Sequence, residues 1–514
     1  MDKRYLIGID LGTTTIKAVF LDAKKDRIVT TQTEEIFPVK TDNPDYIEYD
    51  PNEWWEYIKR ILKRGFEQGV DPAQVAGICL GGFTGVALLA KNDGTPVINA
   101  VHYNDMRHTG LLEELRAMVG DLVVERNYNH IGMYNCLAKL YWWKKHRPDV
   151  FQQADVITSE VTWANHKLTG EWAFNRTQAA FHFAYNAKTR QWDHEIIQKT
   201  GFDPCMFPRL VDSTEVMGHV TKQAAQETGL AEGIPVFGGA DDAAPVAITT
   251  GVISAGQGYV SAGSGGNIAV NTVQPICHET IMCFPHCIPG LISAITVMSS
   301  TGLSYKWMRN AFGQAEAAVA ELTGKDVYVY LDAQAAQSAP GSRGVIFLPY
   351  LDGDFTPNND ANARGVFIGM DTSTTKNDML RATLEGVAFC ILDNIMLIRQ
   401  LGGEINEIVI TGGVAKSPLW LQIIADVTGC PISLPEETEG APFGNAIVAG
   451  VGVGLFESFE QAIERVVKIR RNAFLPDAGN HSLYSELYQV YKGLYASLSG
   501  AFSQMEDIRK KYHL

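Results

Sequence analysis

A chain of 514 residues is longer than one hydrophobic core usually serves, so two large domains are expected. With 46% hydrophobic and 20% charged residues and 48 glycines it has the composition of a soluble α/β protein, which excludes an extensively disordered chain. The formal net charge of −15 comes without a basic face or tract, which excludes a nucleic-acid footprint and means that an anionic ligand has to be held by local donors.

From the N-terminus, the runs YLIGID, IKAVFLD and RIVTTQTE are separated by the polar turns LGTTT and AKKD, which predicts a meander of three antiparallel strands. The segment PNEWWEYIKRILKRGFEQ sets Trp54, Ile58, Ile61 and Leu62 at helical spacing, with Pro51 near its start and Gly69 past its end. Strand VAGICLGG follows. After Pro235 come strand VFGGADD, the small-residue run APVAITTGVISAG and a second strand-turn-strand, GYVSAGSGGNIAVNT. Two halves that each open on a hairpin with a glycine- and hydroxyl-rich tip predict a duplicated domain with a cleft between the copies. The boundary is placed near residues 245 to 255, giving domains 1–248 and 249–514. Later elements are strand GVIFLPYL, helix KNDMLRATLEGVAFCILDNIMLIRQL, strand EIVITGG and helix SPLWLQIIADVTG.

The opening MDKRYLIGIDLG lacks a long apolar core and a small-residue cleavage site, so no signal peptide is read. The weakly polar run AIVAGVGVGLF is too short and glycine-rich to span a bilayer, and a cytoplasmic protein is expected. The eight cysteines are scattered and read as reduced thiols. CHETIMCFPHC mixes Cys277, Cys283 and Cys287 with His278 and His286, but without a knuckle spacing it is not read as a zinc site. The sequon at Asn175 to Thr177 is read as idle, and the pairs Trp54-Trp55 and Trp142-Trp143 as packing.

Three glycine turns carry the chemical argument. Gly12, Thr13, Thr14 and Thr15 follow an acid at a strand end, and such a turn aims backbone N–H groups and hydroxyls at one point, an arrangement suited to phosphates. Asp10, just before it, is placed to hold Mg2+ bridging phosphate oxygens; the bland reading is a hairpin with a capping aspartate. The loop Ala262 to Asn267, with Gly263, Ser264 and Gly265, repeats the offer of donors from the other half. Gly412 and Gly413 with Val414 end a strand where a base or ribose can approach the backbone closely. In GGADDAAP, Asp241 and Asp242 end a strand among small residues, and phosphoryl transfer to an alcohol needs a carboxylate within reach of the hydroxyl. Neither a P-loop nor a Rossmann fingerprint occurs.

With DPNEWWEYI, YNDMR, FLPYLDGDFTPNNDANARGVFIGM, NDMLRATLEGVAF, TGGVAKSPLWLQIIADVTG and FLPDAGNHSLYSELYQVYKGLY in order, the chain resembles the FGGY carbohydrate kinases, xylulokinase-like branch, nearly end to end. The resemblance implies an actin-like ATPase fold of two ribonuclease-H-like domains: sugar, the first phosphate loop and the catalytic acid on the first, ATP on the second. It implies Asp10 for magnesium, Asp241 as the base on the sugar hydroxyl, and the Ser264 loop and Gly412-Gly413 around ATP. A homodimer is a family-level expectation.

The departures fall where substrate is chosen. Phe83-Thr84 stands where xylulokinases carry a Met-His pair, Tyr103 replaces the tryptophan before N-D-x-R, Asp242 replaces an asparagine, and the phosphate loop has Ser264-Gly265 for Thr-Ser. Phe83, Thr84, Tyr103, Asp105, Asp241 and Asp242 are the candidate substrate contacts, with pairing between Asp105 and Arg107 as the structural alternative for Asp105. The leading function is an ATP-dependent kinase of a xylulose-like ketose. A linear polyol such as erythritol is the alternative acceptor, and an actin-like ATPase switch the alternative of a different class.

Overall fold

The strands of the N-terminal meander form where apolar alternation and turn chemistry place them. In a computed structural model describing residues 3–437 and 439–512, strands Tyr5–Leu11, Thr15–Asp22 and Arg27–Glu35 pair antiparallel in that order. Val75–Gly82 adds parallel to Tyr5–Leu11 and Pro235–Ala240 parallel to Val75–Gly82, while Val216–His219 closes the edge antiparallel.

The side-chain period of two divides this sheet into its faces. Ile7 and Phe20 are register partners and share a face; Phe20 lies against Gly65 of the amphipathic helix Pro51–Glu67. Gly8 points the other way, and there the helix Ala441–Gly452 presses so close that a Cβ on Gly8 would overlap Pro442 O and Ala446 N. With both faces covered, most of Tyr5–Leu11 and all of Val75–Gly82 are buried, which explains why these strands read as nearly continuous apolar runs.

That helix comes from far along the chain. The chain divides into two compact units: one holds the residues up to Ile253 together with Val273–Ser293 and Glu437–Lys468, the other Ser254–Thr272, Ala294–Glu436 and the residues from Ile469 on. A single cut at 248/249 therefore differs from the packing. The run AIVAGVGVGLF, rich in small residues, is helical over most of its length because close approach to a sheet needs small side chains on the contacting face.

The second unit repeats the plan. Its strands follow the order Ile292–Met298, Gly266–Thr272, Gly258–Ala262, Ile408–Gly412, Ile432–Pro435, Ile469–Phe474. The hairpin Gly258–Ala262/Gly266–Thr272 is antiparallel, the next two strands add parallel and the last antiparallel, as in the first unit. The long helix Lys376–Gln400 opens on a capping box between Thr375 and Asp378. No helix among the described residues is long and apolar enough to cross a membrane.

Gly8→Ala is expected to cost about 3 kcal/mol, because its methyl group meets helix backbone that cannot rotate away. A urea unfolding midpoint equal to wild type would contradict this packing.

Candidate active site

The first unit gathers four carboxylates. Asp10 ends strand Tyr5–Leu11, Asp241 and Asp242 follow Pro235–Ala240, and Glu160 is the first residue of helix Glu160–Thr169, capped by Ser159. Burial pushes Asp10 up to about 8, with the Asp242 charge adding and Lys17 opposing. Burial and then the Asp242 charge push Asp241 up to about 7, against hydrogen bonds from the Ala244 and Ala243 amides. Glu160 is pushed up to about 8, chiefly by burial, with the charges of Asp242 and Asp10 contributing. Asp242 keeps an exposed edge yet has enough protein around it for burial to raise it to about 6, the lowest of the four. No lysine or arginine forms an ion pair with any of the four among the described residues, and Lys17 is itself engaged by Glu439 at 2.5 Å.

Asp241 is held from two sides. Its Oδ1 accepts the Ala244 amide at 2.7 Å, and its own amide donates to Thr177 Oγ1 at 2.7 Å. Thr177 donates in turn to Asn175 Oδ1 at 2.8 Å, which also caps the turn Arg176–Ala179 through the Gln178 amide. Gln178 Nε2 donates to Glu160 Oε1 at 2.5 Å, and Gln178 Oε1 accepts from Ser159 Oγ at 2.8 Å. A buried network thus ties Glu160 to the backbone of Asp241. Asn175 and Thr177, which spell an idle sequon in the sequence, are buried members of it.

An aromatic wall borders these acids. Phe83 is buried and packs against Trp54, Tyr49, His102 and Tyr103, and Tyr103 meets Tyr134 at 5.9 Å between centroids. Tyr103 and Thr84 are partly exposed, and the hydroxyl of Tyr103 feels the charge of Asp242, which puts the two in one neighbourhood. Asp105 stands apart. Its Oδ1 accepts from the Arg107 amide and Nε, its Oδ2 from Arg107 Nη2 and the Ile47 amide, while Arg107 also reaches Glu48 at 2.6 Å. With its acceptor positions filled, Asp105 is corrected from a ligand contact to the lock on Arg107.

The glycine loops are built differently from one another. In the first, the Gly12 amide already donates to Thr15 O, and Tyr49 Oη donates to Thr13 O at 2.8 Å, so Gly12 shapes the turn while Thr14 is its exposed tip. In the second unit Gly263, Ser264 and Gly265 are exposed, and helix Gly302–Phe312 braces them by donating from Gly302 and Leu303 to Gly263 O and Ser264 O. Gly412 and Gly413 are exposed beside that loop, with Ala262 and Gly412 as register partners. Gly412 has φ 86° and faces Ala262 O at a distance that no Cβ allows. Val414 is buried, so only its backbone is available to a ligand.

Two family models match almost consecutively: the N-terminal domain of the FGGY family of carbohydrate kinases over residues 5–249 and its C-terminal domain over 258–453. The chain belongs to the FGGY family of carbohydrate kinases. It is similar to a xylulose kinase of Staphylococcus epidermidis, 31% identical over 498 residues that cover 96% of this chain and 97% of the relative. It is 29% identical to an autoinducer-2 kinase of Yersinia pseudotuberculosis over 505 residues, 96% and 95% of the two chains. The solved xylulose kinase of Rhodospirillum rubrum superposes with a TM-score of 0.90 at 27% identity, covering 97% of this chain and all of that one. This FGGY kinase thus has the actin-like ATPase fold. It is a phosphotransferase acting on a carbohydrate hydroxyl with ATP as cosubstrate.

A magnesium ion carried with ATP fits the donors present. Asp10 Oδ1 and Glu160 Oε2 are buried oxygens without a hydrogen-bond partner. Among the described residues no three His, Cys, Asp or Glu side chains converge as a metal cage, but magnesium is usually held by one or two carboxylates with phosphate and water. Cys283 instead donates to Ile276 O at 2.9 Å.

Sequence reasoning passed over Glu160, Gln178, Thr177, Asn445 and His102. Asn445, in helix Ala441–Gly452, donates to Ile9 O at 2.8 Å, bracing the strand next to Asp10. His102 Nδ1 accepts the Asn104 amide, so Nε2 carries the proton of a neutral ring held near pKa 4 chiefly by burial. Glu160 had a signal: an acid where a strand ends and a helix begins, as at Asp241.

Carboxylates raised above their unfolded values favour folding while protonated, so their contribution is lost as pH rises through about 6 to 8. The urea midpoint of the cation-free protein is expected to fall between pH 6.5 and 8.5, less steeply in Asp10→Asn. A wild-type midpoint that rises over this range would contradict the burial.

Proposed function

We propose that this kinase phosphorylates a hydroxyl of a ketose, a xylulose-like pentulose, with Asp241 as the general base. The observation that supports this most is the setting of Asp241: buried, fixed through Oδ1 and its own amide, and raised to about 7. A base matched to neutral pH can accept a hydroxyl proton and return it to solvent with little penalty either way. Adjacent carbon and hydroxyl groups of the sugar face Phe83, Thr84, Tyr103 and Asp242. Phe83 supplies an apolar surface for the carbon chain, and Asp242 is an acceptor for a hydroxyl.

The exposed backbone of Gly263 to Gly265 and the turn at Gly412 and Gly413 bind ATP on the second unit, and Thr13 to Thr15 take phosphate oxygens on the first. Asp10 holds Mg2+, which when bound neutralises charge on the phosphate oxygens. Asp241 keeps its proton acceptor aimed because the helix amide fixes one oxygen and leaves the other for the hydroxyl.

A linear polyol is the second acceptor, favoured by the exposed edge of Asp242 beside Tyr103, where an additional hydroxyl finds an acceptor that asparagine would offer without charge.

ADP release with Mg-ATP against a panel of ketoses and linear polyols tests the reading. One compound should raise the rate far above the sugar-free control, and Asp241→Asn should lower kcat by about 10³-fold while nucleotide affinity stays within a few-fold. A sugar-independent rate, or near-wild-type turnover in Asp241→Asn, would contradict it. Because the Asp242 charge raises Asp241, Asp242→Asn should move the acidic limb of kcat/KM to lower pH; a limb that stays or moves up would show that Asp241 does not set it.

A further inference from the structure

Glu160 has no place in the reaction described so far, yet it is fully buried at the start of a helix. Its Oε1 takes the Gln178 amide, while Oε2 meets no donor. Its position is fixed by the sheet. Gly82 is the register partner of Leu11, the residue after Asp10, and a Cβ on Gly82 would come within 2.6 Å of Glu160 Oε1 and 3.2 Å of Leu11 O. The Glu160 carboxylate therefore lies over the ends of the two parallel strands where Asp10 emerges.

Asp10 Oδ1 is the other buried carboxylate oxygen of this cluster without a hydrogen-bond partner. Two such oxygens on adjoining elements, with no paired lysine or arginine, form a place that a cation completes. An ordinary buried glutamate would be satisfied by a second donor, and the amide of Gln178 instead holds the far oxygen, leaving Oε2 turned away from it.

We infer that Glu160 Oε2 is the second protein oxygen for the divalent cation that enters with the nucleotide, acting with Asp10 Oδ1. The inference rests on the reading of Asp10 as the cation residue and adds to it a ligand from helix Glu160–Thr169. Two fixed carboxylates would set the cation's position along the strand end, whereas one alone leaves it to the phosphates. No bond is made or broken in this role.

The test is binding of Mn2+ to the full chain in the presence of a non-hydrolysable ATP analogue, followed by electron paramagnetic resonance. Glu160→Gln keeps the acceptor for Gln178 and removes the charge, and it should weaken Mn2+ by about 10-fold or more. Asp10→Asn should weaken it as well, and Asp241→Asn should leave it within two-fold. Mn2+ affinity unchanged in Glu160→Gln but lost in Asp10→Asn overturns the role of Glu160 and leaves the Asp10 reading intact; affinity unchanged in Asp10→Asn overturns the underlying reading. A measurement free of substitution guards against a misfolded variant. Wild-type protein labelled with 13C at its glutamate carboxyls should show a 13C hyperfine coupling to bound Mn2+, and absence of that coupling overturns the inference.

Discussion

Negative charge gathered inside protein without a paired cation is costly, and the first unit gathers four carboxylates in this way. The surrounding architecture is arranged to hold them. Asp10 needs a strand whose end does not move, which Asn445 secures through Ile9 O. Asp241 needs a helix start and a threonine, supplied by Ala244 and Thr177. Glu160 needs a glycine beneath it, and Gly82 is that residue. The electrostatic penalty is then relieved by what the site binds, so burial that weakens the cation-free protein becomes affinity for a cation and readiness to take a proton.

The aromatic wall shows how selectivity is separated from catalysis. Phe83, Tyr103 and Tyr134 present surface and hydroxyl groups, and their support comes from Trp54 and from the Asp105–Arg107–Glu48 ion network. A change of sugar can be accommodated by altering the partly exposed Thr84, Tyr103 and Asp242 without disturbing the fixed parts of Asp241. That division fits a family whose relatives here carry the names of two different substrates.

Much of this was legible in the sequence because the signals are local. The meander, the second hairpin and helices Pro51–Glu67 and Lys376–Gln400 follow from period and punctuation, and the repeated plan follows from two glycine-tipped hairpins. What was not legible is what depends on distant pairing. The helix Ala441–Gly452 returns to the first sheet, and small residues announce close packing without saying against what. Asn175 and Thr177 spell a sequon, and only the fold shows them binding Gln178 and Asp241. Asp105 and Arg107, two residues apart, carried two readings that only the four bonds on the carboxylate separate.

The account rests on carboxylates held protonated near neutral pH until a ligand arrives. Side-chain carboxyl 13C shifts followed against pH in cation-free protein labelled at aspartate and glutamate measure this directly. The account predicts that the signals of Asp10, Asp241 and Glu160, assigned by their loss in single amide variants, titrate between about pH 6 and 9. Titration of all three below pH 5 would contradict it.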